Sequence, residues 1–137
     1  MEYTISLSEN RLYVEVIVVG EVDRHSAMAM NVEVHQFGRE RGISHLLMDM
    51  RRARNVESIT GNYRFSYNDM QHEEVINRFA RVVVLVEPDD HSHDFIETLA
   101  RNTGMDVTLL RDKDAALVHL LMDLGRESET EDEAPVT

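Results

Sequence analysis

The residues best suited to chemistry directly follow one mainly apolar run in the sequence, Leu46 to Met50. They are three arginines and two hydroxyl residues: Arg51, Arg52, Arg54, Ser58 and Thr60. We interpret the apolar run as a buried strand that leads into a loop and a helix N-terminus, where ligands and partners usually meet an open α/β sheet. The arginines and free helix amides could bind an anion, and a hydroxyl there could accept a phosphate. Alternatively, the arginines pair with surface acids and the hydroxyls only cap the helix.

An acidic segment from Asp89 to Asp94 contains His91 and His93. Two such imidazoles can reach one metal ion from a loop, and carboxylates could complete the shell. The segment has no recognised metal-binding spacing. We therefore interpret it as a capping segment with solvated histidines, and we assign the chain neither a metal nor another cofactor.

A third group of side chains is aromatic or apolar. It consists of Tyr63, Phe65, Tyr67 and Met70, with the pair Met28 and Met30. These side chains could line a pocket for a small apolar ligand between a helix and the sheet. The alternative is that they belong to an ordinary core. No nucleophile elbow, P-loop, glycine-rich dinucleotide turn or paired-carboxylate motif occurs, so the sequence predicts no enzyme.

Length and charge limit the remaining possibilities. The chain has 137 residues, which is typical of one domain, and its formal net charge is −12. An acidic surface repels phosphate backbones, so we expect no nucleic-acid binding. Cysteine is absent, which excludes disulfides and thiol chemistry. No secretory signal and no integral membrane segment are evident, and a cytoplasmic location is the expectation.

Hydrophobic periodicity places the elements that must position these residues. Alternating apolar residues predict a strand from Tyr3 to Leu7 and a second from Arg11 to Val19, which Gly20 ends. Two strands this close must form an antiparallel hairpin. The later elements are a helix capped by Asp23 and ended by Gly42, a strand Ile43–Met50, a helix Ser58–His72, a strand Arg81–Val86, a helix capped by Asp90 or Ser92, a strand Val107–Leu110, and a helix that runs from its cap Asp112 to Gly125.

This order predicts an α/β fold. A hairpin followed by βαβ units gives a mixed five-stranded sheet, covered by about four helices. We expect a single domain over residues 1–124. Residues 125–137 are rich in acids and poor in apolar groups, and they are predicted to form a disordered acidic tail.

At this level the chain resembles the STAS-like, SpoIIAA-like (STAS/SEC14) domains. The resemblance covers Tyr3 to Leu124 and rests on the element order, on the LLMDM strand, and on two phrases. Arg78 to Val84 is similar to that family's entry into its fourth strand, and Asp112 to Leu121 is similar to its closing helix.

The resemblance implies a small non-enzymatic domain. Well-known relatives antagonise anti-sigma factors and are switched by phosphorylation of a Ser or Thr at the start of the second helix. The equivalent place here is Glu57-Ser58. The family's Asp-Ser-Ser/Thr-Gly run is not intact, since Ile59 follows Ser58 before Thr60 and Gly61.

The leading hypothesis is thus a regulatory or protein-interaction module that binds a protein partner through the loop between the third strand and the second helix. The alternative is a carrier or sensor of a small apolar or amphiphilic ligand, held between the second helix and the sheet. A homodimer is possible through an exposed helix or sheet edge.

Overall fold

The structure is a computed structural model that describes the backbone of residues 1–133 and the side chains of residues 1–124. Its strands are β1 (Glu2–Leu7), β2 (Val14–Val22), β3 (His45–Asn55), β4 (Arg81–Leu85) and β5 (Asp106–Leu110). Its helices are α1 (Arg24–Arg41), α2 (Ile59–Arg64), α3 (Met70–His72), α4 (Asp94–Asn102) and α5 (Lys113–Glu133). A π-helical stretch (Phe65–Asp69), here called the π segment, joins α2 to α3.

The five strands form one sheet in the order β1-β2-β3-β4-β5. β1 pairs antiparallel with β2, and every later neighbour is parallel. The predicted fold class is therefore confirmed. The carboxyl ends of β2, β3, β4 and β5 meet at one edge of the sheet, so the segments that follow them lie together.

Two apolar layers cover the sheet. On one face α1, the second helix and α4 pack against alternate residues of the strands, with Met30, Phe65 and Ala100 among the buried contacts. On the other face α5 packs Ala116 and Leu120 against β3 and β4. The second helix (α2, the π segment and α3 together) thus lies over the same face as α1 and α4.

The ends of the helices follow the expected chemistry in part. Asp23 caps α1 through the backbone N–H of Ser26, and Gly42 ends α1 in the left-handed conformation at φ 67°. The predicted caps of α4 are wrong, because His93 occupies that position without a side-chain hydrogen bond. Ser92 instead accepts the backbone N–H of Asn55, at 3.0 Å.

β2 and β3 end later than the sequence indicated, whereas β4 ends one residue earlier, at Leu85. β2 continues through Gly20 to Val22, and β3 continues past Met50 to Asn55. The reason is their mutual pairing, in which Gly20, Glu21 and Val22 align with the last three residues of β3.

The last helix also exceeds its predicted end at Gly125, since α5 extends to Glu133. The structure describes the backbone of this predicted tail only as far as Glu133 and none of its side chains, so the rest of the tail lies outside the described residues. Its disorder and the domain boundary at residue 124 stay predictions. Within residues 1–133, none of the helices combines the length and apolarity that a bilayer crossing requires.

Candidate functional site

The three predicted arginines lie on β3 and not in the loop after it. β3 contains a bulge, because Ile17 aligns with Asp49 whereas Val19 aligns with Arg52. Strict alternation after Met50 would turn Arg52 and Arg54 toward the α1 face, but one extra residue exchanges the two faces. Ala53 is consequently buried in the layer beneath α1, and Arg52 and Arg54 are exposed.

The arginines differ in their partners. Arg51 binds Asp49 through two hydrogen bonds, from Nε at 2.9 Å and from Nη2 at 2.8 Å. Burial opposes the ionisation of Asp49, but these bonds outweigh it and lower the pKa of that carboxyl. Among the side chains of residues 1–124, neither Arg52 nor Arg54 has an ion-pair or hydrogen-bond partner. Two of the three guanidinium groups are therefore open to an external anion or acid.

Ser58 caps the second helix, as one of the two alternatives expected. Its hydroxyl oxygen accepts the backbone N–H of Gly61 at 3.0 Å and donates to Glu57 at 3.1 Å. Glu57 also accepts the backbone N–H of Arg24 at 2.7 Å, and this bond together with one from Ser58 lowers its pKa. The helix start thus already holds an anion of the chain itself, the Glu57 carboxylate.

Ser58 and Thr60 line a shallow groove at the start of α1 and α2. Its basic members are Arg24, His25 and Arg64. None of the three β3 arginines belongs to that lining, so the predicted anion site is divided. The arginines lie on the sheet, and the hydroxyls lie beside other basic groups.

The second helix carries the predicted pocket residues on two sides. Phe65 and Met70 are buried, whereas Tyr63 and Tyr67 are 44% and 41% exposed. The backbone N–H of Met70 donates to the carbonyl of Phe65, five residues earlier, so the π segment places these two side chains together on the inner side. Tyr63 and Tyr67 do not line the cavity described below, and their part in ligand binding stays a prediction.

The two tyrosines belong to an exposed aromatic cluster. The Tyr63 and Tyr67 rings stack at 5.6 Å between centroids, and Phe95 of α4 meets Tyr63 edge-on at 5.5 Å. Ile59, one turn before Tyr63, is 70% exposed. We call Ile59, Tyr63, Tyr67 and Phe95 the aromatic patch.

A cavity of about 110 Å³ lies between the sheet and the three helices on its α1 face. Phe65 and Met70 line it, and their role in binding a ligand stays a prediction. Five of the eight methionines in the chain contribute to the wall: Met30, Met48, Met50, Met70 and Met105. The predicted contribution of Met30 is thus present, whereas Met28 lines the outer groove. Methionine is flexible and polarizable, so a wall of this kind adapts to different shapes.

Several uncharged polar side chains lie in this wall, among them three asparagines, Ser66 and His35. Ser66, in the π segment, is 4% exposed, and its hydroxyl lacks a hydrogen-bond partner among the described residues. His35 of α1 is 3% exposed, and its Nδ1 accepts the backbone N–H of Asn77 at 3.0 Å. Burial lowers the pKa of His35 to about 4, so the ring is neutral near pH 7.

The charged residues at the rim of the cavity have partners within the protein. Arg24 forms a two-bond pair with Asp69 of the π segment, at 2.6 and 2.8 Å. Its hydrogen bonds lower the pKa of Asp69 and raise that of Arg24. Asp23 caps α1, and Glu97 accepts the backbone N–H of Leu109. The charged side chains at the rim are therefore fixed by contacts with other groups of the protein.

The two histidines of the acidic segment do not converge on one point. His93 is buried and donates from Nε2 to the carbonyl of Ala53 at 3.1 Å. His91 is exposed and contacts the carboxylate of Asp94 at 2.8 Å. Residues 1–124 contain no cluster of three or more potential His or carboxylate ligands for a metal ion.

Sequence reasoning missed several cavity residues. Met48 and Met50 had been assigned to a central strand and Met105 to no site, while His35 and Ser66 had no assigned role. The available signal was the abundance of methionine in a chain with few aromatic residues. The π segment, which turns Ser66 inward, leaves no comparable signal in the sequence.

Comparison with solved structures identifies the fold. An uncharacterised protein of the DUF3478 family with a SpoIIAA-like fold, from Shewanella loihica, matches at a TM-score of 0.53 and 16% identity, over 87% of this chain and 92% of that chain. The anti-sigma factor antagonist SpoIIAA in its unphosphorylated form matches at 0.47 and 12%, over 86% and 96%. The Bacillus cell fate determinant SpoIIAA in its phosphorylated form matches at 0.48 and 12%, over 83% and 96%.

The match to the Shewanella protein shows that this chain has a SpoIIAA-like fold, as the resemblance implied. Identity at this level shows the fold alone. No protein-family profile matches the sequence, and no curated protein is significantly similar to it.

Proposed function

We propose that this protein is a non-enzymatic regulatory module that binds a protein partner through the surface following β3. This surface comprises Ser58 and the aromatic patch on the α1 face, together with Arg52 and Arg54, which the bulge turns to the other face at the same end of the sheet. The SpoIIAA-like fold is compatible with such a role. Fold alone does not assign function, and the side chains exposed on this surface are what support the role.

The observation that carries the proposal is the aromatic patch. Three rings that contact one another are each about two-fifths exposed, at 44%, 41% and 38% for Tyr63, Tyr67 and Phe95. Exposed aromatic side chains are typical of the centre of protein interfaces, because they bury a large area at low cost in conformational entropy. Arginine is the charged residue most enriched there.

Charge adds information about the partner. The chain as a whole carries −12, yet Arg52 and Arg54 lie exposed at the end of β3. We expect a partner that presents acidic side chains to the arginines as well as apolar side chains to the aromatic patch. Attraction between such groups would increase the association rate and would weaken with salt.

The polar groups of the surface support a binding role over catalysis. Ser58 caps α2, and His93 donates to a main-chain carbonyl. His91 is paired with Asp94. Regulation by phosphorylation of Ser58 or Thr60 stays a prediction.

Partner capture from an extract of the source organism tests the proposal. Wild-type protein, Arg54→Glu and Tyr63→Ser serve as baits, and Arg78→Glu is the matched charge control at the opposite end of the sheet. We expect a protein retained by wild type and by the control to be lost from the first two variants. Equal recovery on all four baits would contradict this surface. A second copy of the chain is another possible partner, and sedimentation of the purified protein decides it.

A second candidate function is supported by the cavity. It is the transport or sensing of a small apolar ligand between the second helix and the sheet, as the sequence suggested through Phe65 and Met70. Native mass spectrometry of the purified protein tests it. A retained mass that is lost on denaturation supports a ligand, and a bare polypeptide mass from freshly purified protein argues against one.

A further inference from the structure

The Ser66 hydroxyl is the starting point for a more specific inference about the cavity. It is almost completely buried, and residues 1–124 provide no partner for it. Leaving a buried hydroxyl without a hydrogen bond costs about 1–3 kcal/mol, and such groups are rare in folded proteins. Alanine would avoid this cost at the same position. A group that supplies the missing bond would explain why a serine faces this wall.

The surroundings of Ser66 define the charge of that group. The wall is mostly apolar, including Phe65 and Met70 on the same helix, and its uncharged polar members include Asn62. Arg24, Asp23 and Glu97 at the rim are engaged by Asp69, the start of α1 and the backbone of β5. A charged ligand would lose its hydration without gaining a free counter-charge. The cavity therefore favours an uncharged molecule.

The volume defines the size. An apolar cavity of about 150 Å³ in another protein holds benzene. The cavity here measures about 110 Å³, and its methionine side chains can shift to enlarge it. With that enlargement, one six-membered ring with one substituent is the upper limit of size, and the acyl chain of a membrane lipid exceeds it.

We propose that the methionine-lined cavity binds a small uncharged molecule of one-ring size that carries one hydroxyl group, and that this hydroxyl forms a hydrogen bond with Ser66. The proposal rests on the second candidate function and specifies its ligand class. His35 contributes another neutral polar group to the same wall. Its Nδ1 accepts from Asn77, so the proton of the neutral ring is on Nε2.

Phenol and toluene are the probes, because they have the same shape and differ by a hydroxyl in place of a methyl group. Binding is followed by NMR of the methionine methyl groups. The five cavity methionines report on the site, while Met1 and Met122, which are 36% and 41% exposed, serve as internal controls. We expect both probes to shift the cavity signals and to leave the two controls unchanged.

Ser66→Ala then separates the hydroxyl contact from simple apolar binding. We expect the variant to bind phenol about tenfold more weakly, which corresponds to one hydrogen bond, and to bind toluene as tightly as wild type. If Ser66→Ala fails to fold, Ser66→Cys keeps the size and replaces the hydroxyl with a weak hydrogen-bonding group.

Each outcome distinguishes the inference from the function on which it rests. If both probes bind and the variant changes neither affinity, the Ser66 contact is wrong and a purely apolar ligand remains. A hydroxyl satisfied only by bound water would give that same result. If neither probe shifts a cavity methionine, the inference and the second candidate function both fail.

Discussion

Individual residues of this protein owe their behaviour to which face of an element they occupy. Arg52 and Arg54 are exposed because a single extra residue in β3 exchanges the two faces of the strand. His35 and Ser66 are polar, yet they face the inner side of their helices. Substitution of single residues therefore tests two of these features directly, the buried imidazole of His35 and the helix cap at Ser58.

His35 is expected to make stability depend on pH. Its pKa is about 4 in the folded chain and 6.5 ordinarily, so between these values only the unfolded chain takes up the proton. Stability from this group is full above 6.5 and falls as the pH decreases toward 4. Between pH 7 and pH 5 the loss is about 2 kcal/mol.

Urea unfolding of wild type and His35→Asn at these two pH values measures the effect. Asparagine can accept the same backbone N–H from Asn77 but does not titrate. We expect the variant to lose about 2 kcal/mol less stability than wild type over this interval. The same pH dependence in both proteins would contradict a buried neutral imidazole.

Ser58→Ala tests the cap of the second helix. The hydroxyl satisfies the backbone N–H of Gly61, and loss of such a cap typically costs about 1 kcal/mol. Thr60→Ala, two residues later and exposed, is the matched control and should change stability by less than about 0.5 kcal/mol. Denaturant unfolding of both variants gives the comparison, and equal losses would show that Ser58 is not the stabilising cap.

At the scale of elements, the π segment connects the two candidate functions. One side of the second helix carries Tyr63 and Tyr67 at the surface, and the other carries Phe65, Ser66 and Met70 in the cavity wall. A straight α-helix would separate Phe65 and Met70 by more than one turn. The wider π turn places them together, and π turns are frequent at functional sites.

Asp69→Asn is expected to loosen the π segment. Asp69 accepts two hydrogen bonds from Arg24, and these fasten the end of the π segment to the start of α1. The variant should lose about 1 kcal/mol, because the pair is only partly buried, with 33% of the Arg24 side chain exposed. Faster amide hydrogen exchange confined to the second helix would be the signature. If amide hydrogen exchange were unchanged in both the second helix and α1, Asp69 would not be the residue that holds the π segment to α1.

The sequence indicated elements better than their ends. Strand alternation predicted β1 and β2, and the apolar runs predicted β3 and β4, since burial on one or both faces selects residue type directly. The continuation of β3 through Arg52 and Arg54 depends on pairing with β2, which local pattern does not contain. Of the residues proposed for a pocket, Met30, Phe65 and Met70 line the cavity. The rest of its wall could not be predicted, because a cavity between three helices depends on the packing of side chains from distant segments.

The helices are distributed unequally over the two faces of the sheet: we call the face under α1, the second helix and α4 the thick side, and the face under α5 the thin side. α1, the second helix and α4 cover one face and enclose the cavity between themselves and the sheet. In the described part of the chain, α5 covers the other face, over β3 and β4. The α5 side is also fastened by polar contacts, because Asp123 pairs with His45 at 2.9 Å and with Arg81 at 3.3 Å. A ligand or partner on the thick side therefore acts on a layer that is separate from the packing of α5.

Leu120→Ala tests whether the thin side stabilises the fold independently of the cavity. Leu120 is fully buried against β3 and β4, and removing such a side chain costs about 3 kcal/mol. Val118→Ala is the control on the same helix, since Val118 is 72% exposed and should change stability by less than about 0.5 kcal/mol. Because the two layers are separated by the sheet, Leu120→Ala should leave phenol binding unchanged in the folded protein. A parallel loss of stability and phenol affinity in Leu120→Ala, absent from Val118→Ala, would instead mean that the two faces of the sheet are coupled.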